Sequence, residues 1–410
     1  MKKIITLYFM LGVITSGLSQ FAPYTFGKGI HLYDKDSSFH MKFGLRFQNQ
    51  YSHQWDVRND DLGNIGDYKG NFLVRRARLK WDGYLLSKKL KYKVELGLSN
   101  RDLSGGDSRE YGNASRLILD SWVEWNFVGN FSLWGGQGKM PGNRERLVSS
   151  GNMQFVDRSR LNSRFTLDRD MGVMLKHHFT LGDQFLVKEI VSMVQGEGRN
   201  VTTGYKGGYN YTFKVEFFPF GDFQSKGAYV CSDLKREQKP KLAVAVAYDI
   251  NNNAVRERGQ LGAYIQDSLG VYSGKTINTL FADMMFKYKG FSLMAEYANR
   301  KTKDHDPHVY DASNNLMGTF YTGQALNVQA GYLFKNNYEI AGRITTVRPN
   351  EQVGPNENEY GLAFSKYFVG HKLKLQTDLN YRQNYYYGNT APNQGKNDGL
   401  YWRVQMDIHF

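Results

Sequence analysis

The chain closes on a segment, Tyr401 to Phe410, in which Trp402, Val404, Met406, Ile408 and Phe410 are large and apolar. The residues between them, Arg403, Gln405, Asp407 and His409, are polar or charged. A period of two puts successive side chains on opposite faces of a strand, so this strand meets two different solvents. A half-buried strand of a soluble protein alternates in the same way. An alternating strand that ends in an aromatic residue is also the form taken by the last strand of an outer-membrane β-barrel, with lipid outside and water inside. The rest of the chain decides between them.

The same alternation recurs. Phe39, Met41, Phe43, Leu45 and Phe47 alternate with His40, Lys42, Gly44, Arg46 and Gln48. Ala77, Leu79 and Trp81 alternate with Arg76, Arg78, Lys80 and Asp82. Leu90, Tyr92, Val94, Leu96 and Leu98 alternate with Lys91, Lys93, Glu95, Gly97 and Ser99. Tyr209 to Phe217, Leu242 to Ile250, Leu326 to Phe334, Tyr360 to Phe368 and Leu373 to Tyr381 repeat the pattern, and seven less regular segments fill the gaps. The total is about 16 strands, an even number suited to a single-chain barrel. Connections alternate between long (56–67, 100–115, 140–168, 196–208, 251–278, 301–323, 347–358, 388–399) and short, among them Ser87-Lys88-Lys89, Val128-Gly129-Asn130, Lys289-Gly290 and Gly370-His371. The connection at 221–240 is too long for a turn. Long outer loops and short periplasmic turns are the rule for such barrels, whereas a soluble sandwich has no reason to alternate its loop lengths.

The N-terminus fits export. Lys2 and Lys3 precede a short apolar run from Ile4 to Ile14, and Gly17-Leu18-Ser19 offers a cleavage site before Gln20. The run is too short to span a bilayer as a stable helix. Beyond it no long apolar stretch occurs, and mean hydropathy is −0.55. Aromatic residues nevertheless make up 15%, as expected of aromatic girdles. The single cysteine, Cys231, excludes an intramolecular disulfide. The expected organisation is a signal peptide at 1–19, a periplasmic lead-in at 20–36 and a barrel at 37–410. The fold class is all-β, a transmembrane antiparallel barrel integral to the outer membrane.

If the apolar positions face lipid, their alternates face the lumen. Lys42, Arg46, Arg76, Arg78, Lys80, Lys91, Lys93 and Arg403 are the expected basic wall, with Lys374 and Arg382. Asp82, Glu95, Asp120, Glu124, Asp378 and Asp407 accompany them. Two readings stand side by side: a wall that lowers the energy of anions, and a wetted lumen laced with weak ion pairs. The formal charge of +14, reduced to +12 without the two signal lysines, leaves anionic solute or lipopolysaccharide as partners rather than nucleic acid. The third outer loop is more specific. It carries Lys139, Arg144, Arg146, Arg158, Arg160, Arg164 and Arg169 against Glu145, Asp157, Asp168 and Asp170. Arginine suits a constriction because its planar fork grips phosphate or carboxylate and keeps its proton. The same arginines also suit a loop braced to the inner wall.

Arg75-Arg76-Ala77-Arg78-Leu79-Lys80-Trp81-Asp82-Gly83-Tyr84, Arg144-Glu145-Arg146-Leu147-Val148-Ser149-Ser150, Phe155-Val156-Asp157-Arg158-Ser159 and Asp168-Arg169-Asp170-Met171-Gly172-Val173 resemble the phosphate-selective porin O and P family. The resemblance is strongest over residues 70–175. It implies a sixteen-stranded barrel, usually trimeric, with an inward third loop and an arginine-rich anion path. Phosphate specificity follows less directly, because four carboxylates dilute the positive field of the third loop here.

Lys303 to His308 holds Asp304, His305, Asp306 and His308, a composition able to hold a divalent cation and equally able to be a solvated loop. Otherwise no metal, cofactor or catalytic motif is present, and an enzyme is not expected. The expected function is passive diffusion of small hydrophilic anions, phosphate among them. The alternative is a barrel with a closed lumen serving as scaffold in a larger outer-membrane assembly. Expected partners are small anions, outer-membrane lipid, the barrel assembly machinery through Phe410, and further copies in a homotrimer.

Overall fold

A computed structural model describes residues 20–21, 25–58, 61–103, 111, 116–202, 207–267, 269–350, 352–385 and 398–410. The expected signal segment lies outside the described residues. The barrel strands are β1 (His40–Val57), β2 (Ile65–Leu85), β3 (Ser87–Gly97), β4 (Ile118–Val128), β5 (Phe131–Lys139) and β6 (Arg169–Leu181). They continue as β7 (Phe185–Val194), β8 (Asn210–Phe218), β9 (Lys241–Ala254), β10 (Lys275–Tyr288) and β11 (Phe291–Thr302). The last are β12 (Gly323–Leu333), β13 (Tyr338–Pro349), β14 (Asn356–Tyr367), β15 (Leu373–Tyr385) and β16 (Gly399–His409). Each pairs antiparallel with the next, and β16 pairs with β1, so no edge is left open. Phe410 completes the seam: its N–H donates to the Leu45 carbonyl and its carbonyl accepts from the Leu45 N–H. A closed ladder of this kind satisfies every strand amide inside a bilayer. The lead-in adds two short strands, Gln20–Phe21 and Ile30–Tyr33, the second paired to the start of β1.

The β2–β3 turn departs from the expectation. It sits at Leu86, with φ 60°, and Ser87 to Lys89 already belong to β3. A bulge interrupts β2: Gln48 faces Arg76 and Asn49 faces Val74, so Arg75 has no partner of its own. Val74 points to lipid and Arg76 inward, and the extra residue, Arg75, also turns inward.

The expectation of a polar inner wall holds for only part of the circumference. Ala243, Ala245 and Ala247 of β9, Phe281 and Met285 of β10, Met294 and Ala298 of β11, Ala325 of β12 and Ala341 of β13 alternate inward and are fully buried. The reason is that protein rather than water covers them. The third outer loop, 140–168, and the fourth inner turn, 219–240, both fold into the barrel and pack there. Short inward side chains leave the room these segments need.

Candidate functional site

Among the described residues, three short α-helices shape the interior: α1 (Asn100–Leu103), α2 (Arg144–Leu147) and α3 (Arg160–Phe165). The last two belong to the third loop. Its base closes where the Met140 N–H meets the Asp168 carbonyl. Ser159 caps α3 by accepting from the Asn162 N–H. Glu145 accepts from the Ser159 amide and hydroxyl, and Glu296 of β11 accepts from the Glu145 amide. Leu161 and Phe165 then seat α3 on Ala247, Phe281, Ala298 and Ala325, while Phe155 reaches Ala341 and Ala363. Each such apolar side chain stabilises the docked loop by roughly 1.5–3 kcal/mol. The loop therefore crosses the lumen as a fixed wall.

The fourth inner turn supports it from below. The Cys231 N–H donates to the Asn152 carbonyl, and Cys231 packs with Val148 and Met153. The His371 ring meets the Cys231 carbonyl at 2.9 Å, and Lys287 donates to the carbonyls of Val230 and Ser232.

What remains open is a cavity of about 1380 Å³ against β1–β6 and β16. It extends from Gly262 and Tyr264, in the outer connection after β9, to Lys372 and His409 at the inner end. Among the described residues, twenty-one arginines and lysines border it, against six carboxylates. Each carboxylate is paired, and all but Asp102 are shared among two or more cations. Asp157 bridges Arg75 (2.8 Å) and Arg403 (3.0 Å), with Arg76 at 3.8 Å. Glu359 joins Arg343 and Arg382, and Asp120 joins Lys93 and Arg169. Arg78 takes both Glu95 and Asp102 of α1.

A second group of cations is held by neutral acceptors. Arg158 donates to the carbonyls of Glu145 (3.0 Å) and Val148 (2.8 Å), and Lys139 to those of Leu147 and Val148. Arg46 reaches the hydroxyls of Ser149 and Ser150, and Gly151 leaves it space, since a Cβ there would lie 2.8 Å from its guanidinium. Arg199 donates to the carbonyls of Asp102, Arg116 and Ile118. Among the described residues none of these four has a carboxylate within ion-pair distance. Burial and the neighbouring cations Arg78, Arg169 and Arg75, opposed by Glu145, lower Arg158 to about 10, so it remains charged at neutral pH. Burial followed by Arg158 and Arg169 depresses Arg146 in the same direction. Burial is the first cause in both, and crowded positive charge adds to it.

Of the third-loop residues singled out in the sequence, Lys139, Arg146, Arg158, Arg160 and Arg169 border the cavity, while Arg144 and Arg164 do not. Arg144 is fully buried behind the loop. Its Nε donates to Asp283 (2.6 Å), and its other nitrogens reach Glu216 and the Ala228 carbonyl. Burial disfavours the charge, but Asp283 and Glu216 hold its pKa above the usual value. Arg144 is a brace, not a constriction residue. Arg146 pairs with Asp168, and Arg160 and Arg164 both take Glu357. On the wall, Arg46, Arg76, Arg78, Lys80, Lys93 and Arg403 reach the cavity. Lys42 and Lys91 do not; Lys42 lies against Gly29 of the lead-in, and Lys91 is exposed toward the inner end of β3.

Several bordering residues escaped the sequence reading. Arg75 is exposed to the cavity by the bulge, and its only signal was two adjacent arginines in an alternating strand. Arg199, Arg256 and Arg258 come from irregular loops, where no period marks a face. Arg343 was findable from its alternation with Ile340 and Ile344. The possible metal loop does not assemble. Asp304 and Asp306 turn to Lys275, and His308 Nδ1 meets the Thr319 hydroxyl. Among the described residues no cluster of three or more His, Cys, Asp or Glu is set to hold a metal.

The family whose sequence model matches is Phosphate-selective porin O and P, over residues 43–410. The chain belongs to this family. It is an outer-membrane porin, a channel integral to that membrane as a β-barrel. An uncharacterized protein of Aquifex aeolicus (strain VF5) is 23% identical to the porin over 412 residues, covering 90% of this chain and 87% of that one. Among solved structures, Pseudomonas putida OprB superposes with a TM-score of 0.54 at 13% identity, over 90% of this chain and 94% of that one. The outer membrane channel DcaP of Acinetobacter baumannii gives 0.51 at 12%, over 90% and 97%. An anion-selective porin from Comamonas acidovorans gives 0.51 at 10%, over 90% and 99%. At these identities the likeness is one of fold.

Proposed function

We propose that the porin passes small hydrophilic anions by passive diffusion along the cavity between the third loop and the β1–β6 wall. The observation that carries this reading is the set of cations held by carbonyls and hydroxyls. An arginine paired to a carboxylate presents little field, whereas Arg46, Arg158 and Arg199 are fixed in place by carbonyls and hydroxyls, with no carboxylate within ion-pair distance among the described residues. A row of such groups attracts anions and repels cations, and each contact is weak enough for release. The family membership and the similar fold of an anion-selective porin support it. The extent of the cavity from outer loop to inner turn favours a channel over a closed scaffold.

The test is reconstitution in a planar bilayer across a KCl gradient, followed by added phosphate. A chloride-biased zero-current potential supports the reading, and block by phosphate at low concentration adds a phosphate site. A cation-biased potential refutes it. Absence of conductance would restore the scaffold reading.

A further inference from the structure

Cations also stand outside the lumen, on the inner rim. Four of them meet along one arc of the inner rim. Lys289 occupies the β10–β11 turn and Lys335 the β12–β13 turn, and both are exposed. Lys366 lies near the end of β14, directly across from Tyr338. Arg236 reaches the same arc from the fourth inner turn, donating to the carbonyls of Leu333 and Phe334. Hydrogen bonding ties the arc together. The Leu333 N–H meets the Gly290 carbonyl, and Lys366 Nζ donates to the Asn336 carbonyl at 2.8 Å. Among the described residues none of these four cations has a carboxylate within ion-pair distance. The carboxylates nearest in the chain point inward and are engaged. Asp233 accepts from the amides of Glu237 and Gly290, Glu237 from the Gln224 amide, and Glu339 from Gln154, Ser232 and Tyr367.

The level of these cations on the barrel is equally informative. Lys289 Nζ lies 5.0 Å from the Tyr288 ring centroid, and Lys366 Nζ lies 4.0 Å from that of Tyr338. The outer face continues directly upward from them in apolar residues. Ile340 pairs with Phe364, and Phe291 with Tyr332, all with outward-facing exposed side chains. Belt tyrosines mark the boundary between hydrocarbon and headgroups, and lysines just beyond them extend to the headgroup level. A soluble anion would use the ammonium groups and leave the aromatic face unused. A ligand with a negative head and an apolar tail uses both.

We propose that the arc formed by Lys289, Lys335, Lys366 and Arg236 binds an anionic phospholipid of the periplasmic leaflet. Its phosphate lies among the cations and its acyl chains lie along Phe291, Tyr332, Ile340 and Phe364. The site is independent of the pore and stands whichever ion the channel prefers. It also places part of the basic excess on the periplasmic side, away from lipopolysaccharide.

The test uses the full mature porin, purified in detergent and given equal amounts of phosphatidylglycerol and phosphatidylethanolamine, with bound lipid counted by native mass spectrometry. The comparison is a variant carrying Lys289→Gln, Lys335→Gln and Lys366→Gln. These turn positions are exposed, and unchanged heat-modifiable migration on gels verifies the barrel. The expected result is a preference for phosphatidylglycerol of roughly tenfold in the parent, falling to near parity in the variant. Excess glycerol phosphate, the headgroup without its tail, leaves the bound lipid in place. Equal binding of both lipids by the parent overturns the proposal, and so does a preference that survives in the variant. Displacement by glycerol phosphate overturns it too, since the site would then be one for a free anion. Arg158→Gln, in the pore, leaves the preference intact.

Discussion

Arg158→Gln separates charge from scaffold more cleanly than any other change in the lumen. Glutamine keeps an amide donor for the Val148 or Glu145 carbonyl, so the third loop stays in place and only the charge is lost. A hydrated monovalent ion passing a guanidinium at about 6 Å in a water-like medium gains or loses about 0.7 kcal/mol. Screening over a Debye length of about 10 Å in 0.1 M salt roughly halves this. The effect has opposite sign for chloride and potassium, so their difference is near 0.8 kcal/mol, a three- to fourfold change in permeability ratio. The zero-current potential across a KCl gradient is expected to move toward the potassium value by the corresponding amount, with unitary conductance little changed. Lys335→Gln removes the same formal charge from the exposed inner rim, away from the cavity, and serves as the control. An unmoved potential in Arg158→Gln, with a normally folded barrel, would refute the idea that cations held by carbonyls set selectivity.

Three further outcomes follow from the interior packing. Arg144→Ala leaves Glu216 and Asp283 buried with Lys214, at 3.7 and 3.5 Å, as the paired cation and the Tyr229 hydroxyl on Glu216, and is expected to weaken loop docking by about 3–5 kcal/mol. Protease cleavage between residues 144 and 165 and larger current fluctuations would register this, without loss of heat-modifiable migration. Burial favours the neutral form of Asp157, but Arg75, Arg403 and Arg76 overcome it and hold its pKa below the usual carboxylate range. Its contribution to docking is then complete above about pH 4 and lost only as pH falls further, so current traces should be steady from about pH 8 to about pH 5. A transition near pH 6 that Asp157→Asn removes would contradict that. Burial, with Glu145 and Glu339 adding to it, raises the Cys231 thiol to about 12. Thiol reagents added to the folded porin should leave it unlabelled, and labelling should appear on denaturation.

The outer surface was legible because lipid imposes one rule on every strand. Phe43, Leu79, Val94 and Val404 take the faces their alternation dictates, and the spacing of turns follows from a bilayer of fixed thickness. The inner surface obeys no single rule. Ala243, Ala245 and Ala247 read as lumen positions but face protein, because two connections return into the barrel. The resemblance implied the inward third loop, but for the second connection the unusual length of 221–240 was the one sign, and length alone does not show direction. Composition likewise placed Arg144 and Arg158 in one class. What separates them is whether the nearest acceptor is a carboxylate from a distant strand or a carbonyl of the same loop, and that is a property of the folded chain.

The bulge in β2 bears on how such a channel can change over time. Because Arg75 has no partner in the ladder, removing it would bring Val74 and Arg76 into direct succession opposite Asn49 and Gln48. The lipid face above and below would keep its phase. Loss of this single codon is therefore nearly silent for the wall and costly for the passage, where Asp157 would lose its 2.8 Å partner. Insertions and deletions in strands are usually the most damaging kind of mutation, since a slip of one residue exchanges the two faces. Here the barrel carries one residue that can come and go without that penalty. Its lineage has a route for adding or withdrawing a lumen charge that substitution alone does not offer.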